Sequence, residues 1–321
     1  MKKLGFFLLA LGMTAAQAKD IYTGSEKGAY FRFYGPAIND VIKGAMFNDY
    51  QVVKTGGTGD NLKRLAETPS AIALAQMDVA NDLITKTSGW SDKMVVVRSD
   101  LGHECLFAVT SNPKLTSWGQ VQQFATRMRV ATASKESGSY LTLQNLQAQD
   151  STLKGLDANL QNASDALSAI KLVKEKKADL AFFVQVADVT NPIFEEINKG
   201  GMSFVPVADR SFLRLEINGQ KVYDVESVKV TPANFMALSG AKSVNTTCTK
   251  VALVTGKPEA LPEGAARTDQ KDLIKALSEA PVDKIRPNEP ALRKAIDNTA
   301  ALAEGAINSL WEQAKNVRSQ F

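Results

Sequence analysis

The sequence predicts an α/β protein of two lobes built on open, mainly parallel sheets, and three observations carry that prediction. Short apolar runs alternate with small polar loops and amphipathic segments through the first third of the chain. A second set of the same units begins after Pro113. The roughly 300 residues behind an N-terminal leader pattern also exceed what one core usually holds.

In the first unit, Ile21-Tyr22 leads into Thr23-Gly24-Ser25-Glu26-Lys27-Gly28 and then a helical run from Ala29 to Ile42. In the second, residues 51–54 lead into Thr55-Gly56-Gly57-Thr58-Gly59-Asp60 and a helix from Asn61 to Glu67. In the third, residues 71–75 lead into Gln76-Met77-Asp78 and a helix from Val79 to Thr85. Strand, tight loop and helix in succession make an open sheet whose loops line one edge, where ligands bind. Glycine admits close approach there, and each helix start offers unpaired N–H groups and a positive dipole end. Two such starts side by side would hold an anion without any Arg or Lys.

Residues 94–97 and 106–109 read as strands, the second ending in Thr110-Ser111-Asn112-Pro113. Beyond them come a strand at 128–132, a loop at 133–138, helices at 139–148 and 165–176, and an apolar strand at 178–184 ending in Gln185. Residues 202–207 close this unit. From Phe212 the character changes: arms at 213–217 and 221–225 flank Asn218-Gly219, a hairpin signal. A strand at 248–254 and helices at 270–278 and 289–321 complete the reading.

The N-terminus has the order of a secretory signal peptide: Lys2 and Lys3, an apolar run over 4–13, then Ala16-Gln17-Ala18, with cleavage expected after Ala18. The apolar run falls short of the ~20 residues that span a bilayer. No lipobox cysteine accompanies it, and an exported, periplasmic protein is expected. With 38 Lys and Arg against 34 Asp and Glu, the charge is too balanced for a nucleic-acid binder. Cys105 and Cys248 are the only cysteines. An even count in an oxidising compartment permits a disulfide, although two separate buried thiols also fit. Neither lies in a C-x-x-C motif, and zinc or redox chemistry is not expected of them.

Several residues invite a catalytic or metal reading that the pattern does not support. Residues 55–60 lack the G-x-x-x-x-G-K-[ST] spacing of a phosphate loop. His103 is the only histidine, and no Ser/His/Asp set forms around it. Asp78 and Asp82 suit a solvated helix face, and Lys174-Glu175-Lys176-Lys177 a solvated helix end. Trp90 and Trp118 suit packing better than a cleft. No cofactor, metal or catalytic residue is expected, and an enzyme is the least favoured class.

Thr23-Gly24-Ser25 with Gly28 and Tyr30, Thr55-Gly56-Gly57-Thr58-Gly59-Asp60-Asn61-Leu62, and Ala73-Leu74-Ala75-Gln76-Met77-Asp78-Val79-Ala80 resemble the TAXI family. These are the solute receptors of TRAP transporters, whose fold is similar to type II periplasmic binding proteins. The likeness continues through Ser117-Trp118-Gly119-Gln120-Val121, Ser137-Gly138-Ser139 and residues 174–184. It covers about two thirds of the chain and thins beyond Leu213. It implies two lobes joined by a hinge that the chain crosses twice. Lobe one would hold 19–108 and 212–321, and lobe two 109–211. Cys105 and Cys248 would both lie in lobe one, in agreement with a disulfide.

The resemblance also implies a binding cleft. Thr23, Gly24, Ser25 and Tyr30 would form one wall, and Thr55, Gly56, Gly57, Thr58 and Asn61 the second. Gln76 would be the floor, with Ser137, Gly138, Ser139 and Gln185 coming from lobe two. Taken singly, Ser25, Thr58 and Ser137 could equally cap their helices. The expected ligand is a small carboxylate (a dicarboxylate, amino acid or 2-oxo acid), delivered by a monomeric receptor to a TRAP-type permease. Alternatives are an oxyanion or sulfonate receptor of an ABC importer and a ligand-presenting partner of a membrane sensor kinase.

Overall fold

The computed structural model describes residues 19–189, 191–209, 211–217, 219–231 and 242–286. The leader at 1–18, Asn218 of the expected turn and the expected helix at 289–321 lie outside them. Among the described residues no helix is long and apolar enough to cross a membrane.

The first half contains β1 (Lys19–Tyr22), α1 (Gly35–Met46), β2 (Tyr50–Val53), α2 (Thr58–Glu67), β3 (Ile72–Gln76), α3 (Met77–Lys86), α4 (Trp90–Lys93) and β4 (Met94–Arg98). A π-helical turn at Tyr30–Tyr34 precedes α1, whose Pro36 stands in the first turn, where a missing N–H costs nothing. Strands β2, β1 and β3 run parallel. Every residue of β3 is buried, as the apolar run Ile-Ala-Leu-Ala demands of a central strand.

The second half begins with β5 (His103–Thr110) and α5 (Trp118–Phe124), followed by β6 (Val130–Thr132), α6 (Gly138–Gln149), β7 (Leu160–Asn162), α7 (Ala166–Lys174), β8 (Leu180–Gln185), α8 (Pro192–Lys199) and β9 (Ser203–Val205). Strands β7, β6 and β8 run parallel, while β5 is antiparallel to β8 and β9. Helix starts carry the expected caps. Ser117 and Gln120 form a reciprocal capping box on α5, and Asp165 accepts from Ser168 N at the start of α7.

The chain then forms β10 (Glu216–Ile217), β11 (Gln220–Lys221), β12 (Tyr223–Lys229), β13 (Ser243–Gly256) and α9 (Ala265–Glu279). The expected hairpin shrinks to two residues per arm, around Gly219 at φ 74°. From Tyr223 the chain leaves the hairpin and pairs along β13.

Strand β13 joins the two halves. Its residues Ser243–Thr249 pair with β12, and Cys248, Thr249 and Lys250 with β5. Its residues Val251–Thr255 pair with β3, and residues 253–256 with β4. The strand order is therefore β2-β1-β3-β13-β5-β8-β6-β7, a mixed sheet that curls at β13 into two lobes.

The chain returns to the first lobe later than residue 212, where the sequence reading placed the boundary. Phe212, Leu215, Val222 and Tyr223 pack with Leu106, Trp118 and Phe182 of the second lobe. Val228, Val230, Val244 and Cys248 pack with Phe107, Phe183 and Phe194. Phe212 and Tyr223 are fully buried there, so this segment completes the second core, and the crossing falls within β13. Strand β5, expected to belong to lobe one up to residue 108, pairs with the second-lobe strands β8 and β9 along Cys105–Thr110.

Candidate functional site

Loops from both lobes line a half-open cavity of ≈ 120 Å³. The first lobe contributes Thr23, Gly24, Ser25 and Tyr30 after β1, Thr55, Gly56, Gly57 and Thr58 after β2, and Gln76 at the end of β3. The second lobe contributes Ser137, Gly138 and Ser139 at the start of α6 and Gln185 at the end of β8. The cavity thus gathers every residue expected in the cleft except Asn61.

Asn61 is fully buried and acts as a strut beneath the loops. Its amide donates to the carbonyls of Thr23 at 2.6 Å and Leu74 at 2.7 Å, and its oxygen accepts from Thr55 Oγ1 at 2.5 Å. One side chain thereby fixes the ends of three successive strand-loop units.

The lobes touch at this cavity. Gly59 N donates to the Glu136 carbonyl across the seam at 3.0 Å. A Cβ on Gly59 would stand 2.8 Å from that same oxygen, and one on Gly138 only 1.5 Å from Gln76 Oε1. At Gly59 the obstacle is backbone, so only glycine lets the helix starts approach so closely there.

Much of the polar lining is committed within the protein. Thr23 Oγ1 donates to the Val53 carbonyl at 2.8 Å, and Thr58 Oγ1 accepts from Gln76 N at 3.2 Å. Ser137 Oγ caps α6 by accepting from Tyr140 N, and Ser139 Oγ accepts from Val184 N at 2.9 Å. At the start of α2, Gly56 N donates to Asp60 Oδ2 at 2.9 Å while Arg64 holds the other carboxylate oxygen at 2.8 Å. The Asp60 charge offsets part of the positive end of α2. That leaves α6, whose first-turn N–H groups have no helical acceptor, as the better donor end, with no acidic residue in its first turn.

Sequence reasoning missed Glu104. It lies on β5, only 5 % exposed, lines the cavity, and accepts from Tyr30 OH at 2.6 Å. Burial first, and then the nearby Glu104 charge, push the Tyr30 hydroxyl well above its ordinary range, so it remains a neutral donor. The available signal was a carboxylate directly before the apolar run Cys105–Val109, where a strand leaves little room for a charge. Among the described residues no Lys, Arg or His lines the cavity, and Gln76 Oε1 is buried without a hydrogen-bond partner. With Glu104 in its lining, the cavity offers an acceptor as well as donors.

Asp78 differs from its expected place on a solvated face. It is fully buried, and its Oδ2 accepts from Thr142 Oγ1 of α6 at 2.6 Å and Tyr223 OH of β12 at 2.7 Å. Burial raises its carboxyl above the ordinary value against the pull of these donors. A first-lobe carboxylate is thus clasped by two second-lobe hydroxyls. Asp82, one turn on, pairs with Lys86.

The remaining singled-out residues lie outside the cavity. Trp118 packs on Phe182 and Phe212, and Trp90 against the core between α2 and β3. Lys174 pairs with Glu196 and Lys177 with Glu175 on the surface. Cys105 and Cys248 stand directly opposite in register and form a disulfide.

No family model and no curated protein matches the chain. Its solved structural neighbours are distant. MatC from Rhodopseudomonas palustris, solved with bound malate, shares 14 % identity over 84 % of this chain and 86 % of its own, with a TM-score of 0.48. The arginine-, lysine-, histidine-binding protein ArtJ from Geobacillus stearothermophilus shares 8 % identity over 81 % and 89 %, with a TM-score of 0.46. A BvgS VFT2 domain from Bordetella pertussis shares 12 % identity over 84 % and 90 %, with a TM-score of 0.44.

Proposed function

We propose that the protein is an exported receptor that encloses a small carboxylate-bearing solute between its lobes and delivers it to a TRAP-type inner-membrane permease. The observation that carries this reading is the meeting of loops from both lobes around one cavity, with the Gly59 to Glu136 contact closing its side. Such a cavity forms only when the lobes are together, which is how a hinged receptor couples binding to closure. The signal-peptide pattern at 1–18 supports export, and the TAXI-like loops support the transporter assignment.

In this reading the start of α6 holds the ligand carboxylate through N–H groups. Glu104 accepts a hydrogen bond from the far end of the ligand. An amino acid satisfies this donor and acceptor pair better than a dicarboxylate, whose second carboxylate would face Glu104. The test is a thermal-shift panel of amino acids, 2-oxo acids and dicarboxylates on the chain from Lys19 onward. One class should raise Tm in a concentration-dependent way. If no carboxylate moves Tm while isothermal titration also reads no heat, the reading is overturned. Co-purification with a TRAP-type permease rather than a sensor kinase checks the partner.

A further inference from the structure

The only histidine and the only two cysteines of the chain converge where β5 and β13 cross between the lobes. His103 and Cys105 are two residues apart on β5 and so share a face, and Cys248 lies opposite Cys105. Glu226 on β12 joins them from the neighbouring strand. The Sγ atoms of Cys105 and Cys248 and a Glu226 carboxylate oxygen all lie within 4.8 Å of one another. His103 Nδ1 is 2.5 Å from Glu226 Oε1. Both cysteines are buried, while the His103 side chain at the edge of the cluster is 41 % exposed.

We propose that reduction of the Cys105–Cys248 disulfide converts the hinge into a zinc site. Cys105, Cys248 and Glu226 are the ligands, and His103 orients the Glu226 carboxylate through their hydrogen bond. Two thiolates and a carboxylate suit Zn²⁺, which accepts three protein ligands and a water in a tetrahedral shell. Carboxylates that ligate a metal are themselves held by outer hydrogen bonds, and His103 supplies one to Glu226.

The chemistry balances with a dithiol as reductant. The dithiol passes two electrons and two protons to the Cys105–Cys248 bond and becomes a disulfide itself, leaving two cysteine thiols. Each thiol gives up its proton as its sulfur binds the metal, and the metal keeps its charge state throughout. The cross-link between β5 and β13 is thereby replaced rather than lost.

The test uses Co²⁺ alone as a spectroscopic probe on the chain from Lys19 onward, before and after treatment with a dithiol that is then removed. The reduced chain should take up one equivalent and show thiolate-to-cobalt charge-transfer absorption with tetrahedral visible bands, and Zn²⁺ should abolish both. The untreated chain should show neither. Glu226→Gln should weaken Co²⁺ binding at least ~10-fold. A reduced, folded chain with two titratable thiols and no charge-transfer band overturns the proposal, as does unchanged affinity in Glu226→Gln. Should the reduced chain unfold, Zn²⁺ must restore its circular dichroism in wild type and not in Glu226→Gln; failure to restore it also overturns the proposal.

Discussion

Tyr30 donates its hydroxyl to Glu104 at 2.6 Å, tying the turn before α1 to the strand by which the chain leaves the first lobe. Both residues are buried and both line the cavity. Tyr30→Phe removes a charge-assisted bond at a buried carboxylate and should lower stability by about 1.5–3 kcal/mol. Glu104→Gln, which can still accept from Tyr30, should lose less than Glu104→Ala. Urea denaturation of the three variants checks the order.

Asp78 makes a pH-dependent contribution with a defined sign. Its carboxyl is raised in the folded state, so the stability it adds is present below the unfolded value of about 3.9 and falls as pH rises through the higher folded value. Asp78→Asn keeps an oxygen for Thr142 and Tyr223 but removes the titration. The variant should therefore gain on wild type as pH rises above about 4. Melting curves from pH 3.5 to 7.5 measure the difference, and a constant gap between the two chains would rule out the effect.

Gly138→Ala should hinder closure without unfolding either lobe, because its Cβ would displace the buried Gln76 amide, whose Oε1 stands 1.5 Å from that position. Gly59→Ala should act in the same direction through the Glu136 carbonyl. Small-angle scattering should show a larger radius of gyration for both, and ligand affinity should fall at least ~10-fold, equivalent to about 1.4 kcal/mol. Unchanged scattering together with unchanged affinity would mean that the seam relaxes around a methyl group.

Asn61→Ala tests the strut. Three hydrogen bonds are lost, two of them buried, and the Thr23 and Leu74 carbonyls are left without that donor, so a loss of about 3 kcal/mol in urea unfolding is expected. Because the side chain does not line the cavity, affinity measured on the folded fraction should change much less than in Gly138→Ala.

The site loops were legible because their cause is local: a strand, a glycine turn and a helix start follow one another within a dozen residues. Thr23 and Thr58 needed only that order to reach one edge, while Ser137 meets them from the other lobe, as the family resemblance implied. Asp78 was not legible, since the hydroxyls that clasp it come from Thr142 and Tyr223, 64 and 145 positions away. The start of β13 was hidden for another reason. Asn245-Thr246-Thr247 looks like a polar loop, yet Thr246 and Thr247 are buried, and Thr247 Oγ1 donates to the Val207 carbonyl at 2.7 Å. The same non-local pairing holds residues 223–229 and 243–248 on the second lobe, where a change in local character had suggested a return to the first.

The passage of β13 through both lobes has a mechanical consequence. A protein hinged on loose linkers opens at almost no elastic cost. Here one strand is clamped by β12 and β5 along one stretch and by β3 and β4 along the next. Opening must bend that strand like a leaf spring, with the Cys105–Cys248 bond clamping it near the bend. In the proposed receptor, the curvature of the unloaded spring, rather than any loop, sets how far the lobes stand apart before a ligand arrives.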